Sequence, residues 1–284
     1  MPTFYNQATL SYNGNVTNSN IVTGELLDVL SATKTAINES YRPDDVVTYA
    51  ISIVNSGVTA FTGLTVSDDL GAYEFGTSTL VPLEYIDGSV SYFIDGVPQA
   101  DPAVVAGPPL VFSGITVPAG GNALIIYQVR ANEFAPAGEA GTITNTATIS
   151  GGGLSTPIVA EETISSNGDA LLTITKSLSP ESVAENGTLT YTFVIQNTGN
   201  TPIVATDNAI VTDTFNPILN PITVTFNDTV WTEPANYTYN AATGEFATIP
   251  GQITVPAATY EQNPVTGVWE VTPGVSVLKV TGTV

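Results

Sequence analysis

Two stretches of this chain repeat each other at a fixed distance. Thr33-Lys34-Thr35 matches Thr175-Lys176-Ser177, Val47-Thr48-Tyr49 matches Leu189-Thr190-Tyr191, and Asn55-Ser56-Gly57 matches Asn197-Thr198-Gly199, all at an offset of 142 residues. After a three-residue insertion, Leu64-Thr65-Val66-Ser67-Asp68 matches Ala209-Ile210-Val211-Thr212-Asp213, and Ile115-Thr116-Val117-Pro118 matches Ile253-Thr254-Val255-Pro256. A period this long means two copies of a whole domain rather than a solenoid of short units.

Within each copy, apolar and polar residues alternate. Val47, Tyr49, Ile51 and Ile53 fall on one face and Thr48, Ala50 and Ser52 on the other, as in a half-buried antiparallel strand. Asn55-Ser56-Gly57 and Asn197-Thr198-Gly199 read as turns, with glycine free to take positive φ. Scattered Gly (25) and Pro (19) leave little room for a long helix. Strands bounded by turns at this spacing predict an all-β chain of two tandem immunoglobulin-like sandwiches.

Composition narrows the function. Five Lys and Arg stand against 26 Asp and Glu, a net charge of −21, which argues against nucleic acid or an anionic membrane as partner. Cysteine and histidine are absent, so disulfides, thiolate chemistry, histidine acid–base catalysis and ordinary zinc sites are excluded. No apolar run is long enough to predict a membrane-spanning helix, and no cofactor is expected. Residues 1–4 do not begin a signal peptide, so export by another route or removal of a leader is expected.

These motifs resemble the bacterial and archaeal surface-protein repeats called domain of unknown function eleven. That family's pattern runs through a strand with Lys, a Pro-Gly-Asp-like turn, a Val-Thr-Tyr alternation, Asn-Thr-Gly and Val-Thr-Asp. Here the turn reads Arg42-Pro43-Asp44-Asp45 in one copy and Ala184-Glu185-Asn186-Gly187 in the other. The resemblance spans residues 30–284, and residues 3–28 match the family's closing strands. It implies an immunoglobulin-like sandwich of long surface or wall-associated proteins and no enzyme activity.

The ends of the chain are related. Thr3 to Ser11 (TFYNQATLS) reads like Thr142 to Ser150 (TITNTATIS), with Asn6, Ala8 and Thr9 on Asn145, Ala147 and Thr148. In the first copy, residues 124–130 are followed by two further strand candidates, 143–150 and 154–163. In the second, residues 275–281 align with the first of these three, and nothing corresponding to the other two follows. The expected organisation is therefore donor strands at 1–28, a complete sandwich at 29–165, a linker at 166–171 and an incomplete, acceptor sandwich at 172–284. Residues 4–11 and 21–27 form the donor hairpin around Asn13-Gly14, with Phe4, Asn6, Ala8, Leu10, Ile21 and Leu27 as its inserting residues. The acceptor is expected beside residues 275–284, at Val275, Val277, Val280 and Val284. Strand addition of this kind, repeated head to tail without closure, makes a homopolymeric filament.

Only three lysines exist, and two occupy equivalent first-strand positions, Lys34 and Lys176. Each copy has an Asp on a central strand, Asp68 and Asp213. Lys, Asn and a carboxylate form the constellation of the spontaneous isopeptide crosslinks of similar surface-protein sandwiches. That resemblance implies Lys34, Asp68 and Asn145 within a subunit, and Lys176, Asp213 and Asn6 between subunits. Carboxylate pairs at Asp44-Asp45, Asp68-Asp69 and Glu161-Glu162 lack an EF-hand-like loop and read as solvated acidic turns. Trp231 and Trp269 read as core. The expected role is a structural subunit of an extracellular filament or of a cell-surface or spore appendage, its partner being itself, with a cell-wall or spore-surface anchor. The rival is a monomeric adhesin or carbohydrate- or wall-binding module.

Overall fold

The computed structural model describes residues 3–25 and 29–284 and is all-β apart from one short 3₁₀ turn at Ala205–Asp207. Four short strands open the chain: β1 (Thr3–Asn6), β2 (Thr9–Tyr12), β3 (Asn15–Asn18) and β4 (Val22–Glu25). β1 pairs with β4 and β2 with β3, all antiparallel, so they make one long hairpin that breaks at Gln7 and Ala8. Asn13 (φ 45°) and Gly14 (φ 81°) form its turn, both left-handed as a tight two-residue hairpin loop requires. Residue 4–11 is thus not one strand but two, and Ile21 lies just outside β4. Leu27 lies outside the described residues.

The first sandwich comprises β5 (Leu30–Ala36), β6 (Ser40–Tyr41), β7 (Val46–Asn55), β8 (Phe61–Asp68), β9 (Tyr73–Phe75), β10 (Ser78–Leu80), β11 (Leu83–Tyr85), β12 (Ser91–Ile94), β13 (Val97–Pro98), β14 (Ala103–Val105), β15 (Leu110–Val117), β16 (Asn122–Ala131), β17 (Thr142–Gly151) and β18 (Ile158–Ser166). Its front sheet runs β13-β12-β16-β7-β5, and its back sheet β14-β15-β8-β17-β18-β6. Period-two alternation builds the core. Val47, Tyr49, Ile51 and Ile53 face inward from β7 and meet Phe112, Ile125, Tyr127, Ile149 and Ile164, all essentially without solvent contact. β18 lies over β5 and covers its inward face.

The second sandwich comprises β19 (Leu172–Ser179), β20 (Thr188–Asn197), β21 (Thr212–Thr214), β22 (Ile222–Phe226), β23 (Thr229–Trp231), β24 (Tyr237–Asn240), β25 (Glu245–Thr248), β26 (Thr259–Gln262), β27 (Trp269–Thr272) and β28 (Gly274–Thr283). One sheet runs β19-β20-β28-β22-β23 and the other β21-β25-β24. The repeat survives as register: Lys34 pairs with Ile51, and Lys176 with Phe193, both partners being 142 residues apart. Tyr127 lies opposite Tyr49, and Val280 opposite Tyr191. The structural counterpart of Tyr127 is therefore Val280, two residues beyond where the sequence alignment places it; a slip of two keeps the same face of a strand inward. The hairpin β26–β27 reaches the first sandwich, where the Trp269 backbone N–H donates to Glu133 O (3.0 Å) and Gln262 Nε2 to the Tyr73 hydroxyl (2.8 Å).

The glycines of the two Asn-x-Gly motifs need correction. Neither Gly57 nor Gly199 has positive φ. What demands glycine is close approach: a Cβ on Gly57 would meet Val29 at 2.9 Å, and one on Gly199 would overlap the Asp169 carbonyl. The asparagine does the bracing. Buried Asn55 donates to Thr59 O (2.8 Å) and Pro118 O (2.9 Å) and accepts from Gly57 N (2.9 Å). Asn197 repeats this with Thr201 O (2.7 Å), Pro256 O (3.1 Å) and Gly199 N (2.9 Å).

Candidate functional site

Lys34, Asp68 and Asn145 meet inside the first sandwich. Lys34 points inward from β5, at the edge of the front sheet, while Asp68 ends β8 in the back sheet and Asn145 lies on neighbouring β17. Ala147 pairs with Asp68, and Asn145 lies two residues further along β17 on the same inward face. Residue exposures are 3% for Lys34 and 0% for Asp68 and Asn145. Lys34 Nζ donates to Asp68 Oδ2 at 2.7 Å and stands 4.9 Å from the Tyr49 ring centroid. The Tyr127 hydroxyl donates to the same carboxylate oxygen, and Leu70 N donates to Oδ1 at 2.9 Å.

Burial pulls the Lys34 ammonium below its ordinary range, and the attraction of Asp68, Asp69 and Glu162 opposes this. Burial likewise raises the phenols of Tyr49 and Tyr127, with the Asp68 charge adding to it. The Asn145 amide lies beside these two phenols. Yet neither its Oδ1 nor its Nδ2 has a hydrogen-bonding partner, and the Tyr49 hydroxyl is unpaired as well. A buried polar group without a well-formed hydrogen bond costs about 1–3 kcal/mol, so polar groups in this corner of the core are held at a cost.

The second sandwich holds a related but open arrangement. Lys176 Nζ is hydrogen-bonded to Asp213 and lies 4.4 Å from the Tyr191 ring centroid, the counterpart of Tyr49. The Lys176 side chain is 39% exposed, against 0% for Lys34. The reason is topological. β8 pairs with β15 on one side and β17 on the other, whereas β21 pairs only with β25. Asp213 is accordingly on an edge strand, not the central strand expected, because no strand in the described residues stands where β17 stands in the first sandwich. Nor does any take the place of β18 over β19. Leu172, Ile174 and Leu178 share the inward face with Lys176 and remain 38%, 53% and 43% exposed. An open groove of about 560 Å³ runs along Lys176, Ser177, Leu178, Glu181 and Tyr191.

The expected acceptor beside β28 needs correction over most of its length. β28 is flanked by β20 along its whole length and by β22 from Leu278 to Gly282, so that part of the strand has no free edge. Val280 is fully buried in its own core, Val284 packs against that core and Val277 is half-buried, while Val275 is 44% exposed and pairs with β20 alone. In the first sandwich the strand that follows β16, β17, crosses to the other sheet and pairs with β8, the counterpart of β21.

The N-terminal hairpin shows the converse. Phe4 is 57% exposed, Leu10 62% and Val22 55%. Asn6 and Ala8 are also exposed, and the hydrogen bonds of residues 3–25 run within the hairpin. Aligned on the first sandwich, Phe4, Asn6, Ala8 and Leu10 fall on Ile143, Asn145, Ala147 and Ile149, the four inward residues of β17, all 2% exposed or less. On the second strand, Phe4 faces Gly24 where Ile143 faces Ile164, and a Cβ on Gly24 would overlap the Phe4 ring. A large and a small residue thus replace two of medium size.

Other candidates resolve differently. Asp68 is buried rather than part of a solvated acidic turn, and Asp69 accepts from Gly71 N and Thr146 N, both at 2.9 Å. Among the described residues no three Asp or Glu side chains gather as a cation site. Trp231 stacks on Phe226 in the core (centroids 4.8 Å apart), while half-buried Trp269 sits where the two sandwiches meet. Lys279 pairs with exposed Asp228 at 3.2 Å. The tyrosines around Asp68 were missed from sequence; the repeat marks Tyr49 through its match to Tyr191, but nothing marks Tyr127.

No family model and no curated protein sequence matches the chain. Among solved structures, the pilus backbone protein RrgB of Streptococcus pneumoniae is similar over 86% of this chain and 55% of its own, at 14% identity and a TM-score of 0.34. The collagen-binding domain of a Staphylococcus aureus adhesin is similar over 49% of this chain and 99% of its own (11% identity, TM-score 0.30). BslA, a bacterial hydrophobin, is similar over 51% and 100% respectively (11%, 0.30). The chain spans about half the length of the pilus backbone protein.

Proposed function

We propose that this chain is a structural, non-enzymatic subunit of an extracellular filament or surface appendage, built head to tail by strand donation. The N-terminal hairpin of one copy lies against β21 and over β19 of the next. There it does what β17 and β18 do in the first sandwich. The observation that carries this reading is the match of faces: the exposed hairpin presents Phe4, Asn6, Ala8 and Leu10 in the alternation with which Ile143, Asn145, Ala147 and Ile149 complete a core. The open edge of β21 and the uncovered Leu172, Ile174 and Leu178 are what such a pair of strands would bury. Backbone hydrogen bonds along β21 supply strength, and alternate side chains set register. The net charge of −21 disfavours indiscriminate clumping, which leaves association to the donated strands. The two-domain repeat fits the surface-protein family that its motifs resemble.

Negative-stain electron microscopy of the full chain beside a version lacking residues 1–28 tests this. Filaments from the first and none from the second are expected. Monodisperse particles from both overturn strand donation and favour a monomeric surface-binding module.

A further inference from the structure

The side chains of Lys34, Asp68 and Asn145 lie off the backbone ladders that hold the sheets, and their chemistry is unusual for a core. An amine and a carboxamide are buried together, the carboxamide has no hydrogen-bonding partner, and a carboxylate touches the amine. We propose that Lys34 and Asn145 condense into an isopeptide crosslink between the two sheets of the first sandwich, and that Lys176 forms the same bond to Asn6 of a neighbouring copy. The second bond rests on the strand-donation reading; the first does not.

The reaction needs no outside reagent. Asp68 Oδ2, 2.7 Å from Lys34 Nζ, takes a proton from the ammonium and frees the nitrogen lone pair. That lone pair attacks Cγ of Asn145, a C–N bond forms, and the carbonyl π pair moves onto Oδ1, where the Asp68 proton meets it. Collapse restores the carbonyl and breaks the bond to Nδ2, with Asp68 relaying protons to the departing nitrogen. Lysine ammonium and asparagine carboxamide thus become one secondary amide and one ammonium ion, and Asp68 returns to its starting state. Burial favours the neutral amine needed for attack, and the Tyr127 hydroxyl holds the carboxylate in place.

In the second sandwich the same parts are divided between copies. Lys176 and Asp213 are paired but open to water, and among the described residues no strand brings a counterpart of Asn145 beside them. Strand donation places Asn6 where Asn145 stands in the first sandwich and shuts out the water. The crosslink between copies therefore forms after insertion, and only with a hairpin in correct register. This site has Val280 in place of Tyr127, and the hairpin offers Val22 where Glu162 faces Asn145. With fewer polar supports, the bond between copies forms more slowly than the internal one.

The test uses the full chain and its Asn6→Ala variant, both boiled in SDS. The parent is expected to run as a ladder of covalent multimers. Asn6→Ala is expected to run as a monomer about 17 Da lighter than its sequence mass, the mass of one ammonia. Once unfolded, it should resist trypsin after Lys34. Asp68→Ala, which keeps both reacting residues, should show one less ammonia lost per chain. Should that variant fail to fold, resistance at Lys34 in Asn6→Ala gives the same answer. A full sequence mass for Asn6→Ala overturns the internal bond. Parent filaments that boil down to monomers overturn the bond between copies while leaving strand donation standing. Without filaments from the parent, strand donation and the second bond both fall, and the mass of Asn6→Ala still decides the first.

Discussion

Replacing Lys34 and Asp68 together, as Lys34→Met with Asp68→Leu, separates a crosslink from a mere buried ion pair. Their side chains have no exposure and touch at 2.7 Å. If they form only an ion pair, exchanging both for apolar residues of similar volume should be neutral or stabilising, because desolvation offsets most of the attraction. If Lys34 is bonded to Asn145, the exchange removes a closure spanning about 110 residues. By the loop-entropy relation used for disulfides, that is worth about 4.8 kcal/mol. A sandwich of about 140 residues has an unfolding entropy near 0.29 kcal/mol/K, so its transition should fall by about 16 °C. Differential scanning calorimetry reads this directly. Tyrosine and tryptophan signals assign the transitions, since both tryptophans, Trp231 and Trp269, belong to the second sandwich. A first-sandwich transition within about 2 °C of the parent would refute the crosslink argument.

Three further outcomes follow from the geometry. Leu10→Asp places a charge where Ile149 lies fully buried in the first sandwich; about 3 kcal/mol lost on insertion should raise the critical concentration for filaments on the order of 100-fold. Tyr5→Asp, on the outward face matching exposed Thr144, should assemble normally in the same sedimentation assay, and equal behaviour of the two would contradict the register. Asn55→Ala removes three hydrogen bonds of a buried side chain and should destabilise the first sandwich by about 2–4 kcal/mol in urea, leaving the second unaffected. The phenols of Tyr41, Tyr49 and Tyr127 are raised by burial, so in ultraviolet absorbance they should stay protonated at about pH 10, where a free phenol ionises. Because the unfolded chain releases those protons first, stability is intact below about pH 10 and falls as pH rises above it; ionisation of all twelve tyrosines near pH 10 in the folded protein would sink this reading.

Local rules and one repeat carried the reading from sequence a long way. Alternation in Val47, Tyr49, Ile51 and Ile53 dictates an inward face whatever the neighbours are, and the structure buries those four residues. Asn13-Gly14 needs only two left-handed residues to turn a hairpin, a local property of those side chains. The offset of 142 residues marked Lys34 with Lys176 and Tyr49 with Tyr191, because two copies of one fold keep their register. Which strand neighbours which was not legible. Every strand offers the same backbone donors and acceptors on its two edges, so the pattern of Val275 to Val284 was compatible with an open edge as well as a filled one. Only the assembled sheets decided that β28 stands inside its sheet and β21 at an edge, and that Asp213 is therefore partly open while Asp68 is sealed. The same holds for Tyr127, which reaches Asp68 across the space between two sheets. Alternation along a chain specifies which side of a strand is dry; the neighbour, and hence the chemistry of the site, is set by pairings far apart in sequence.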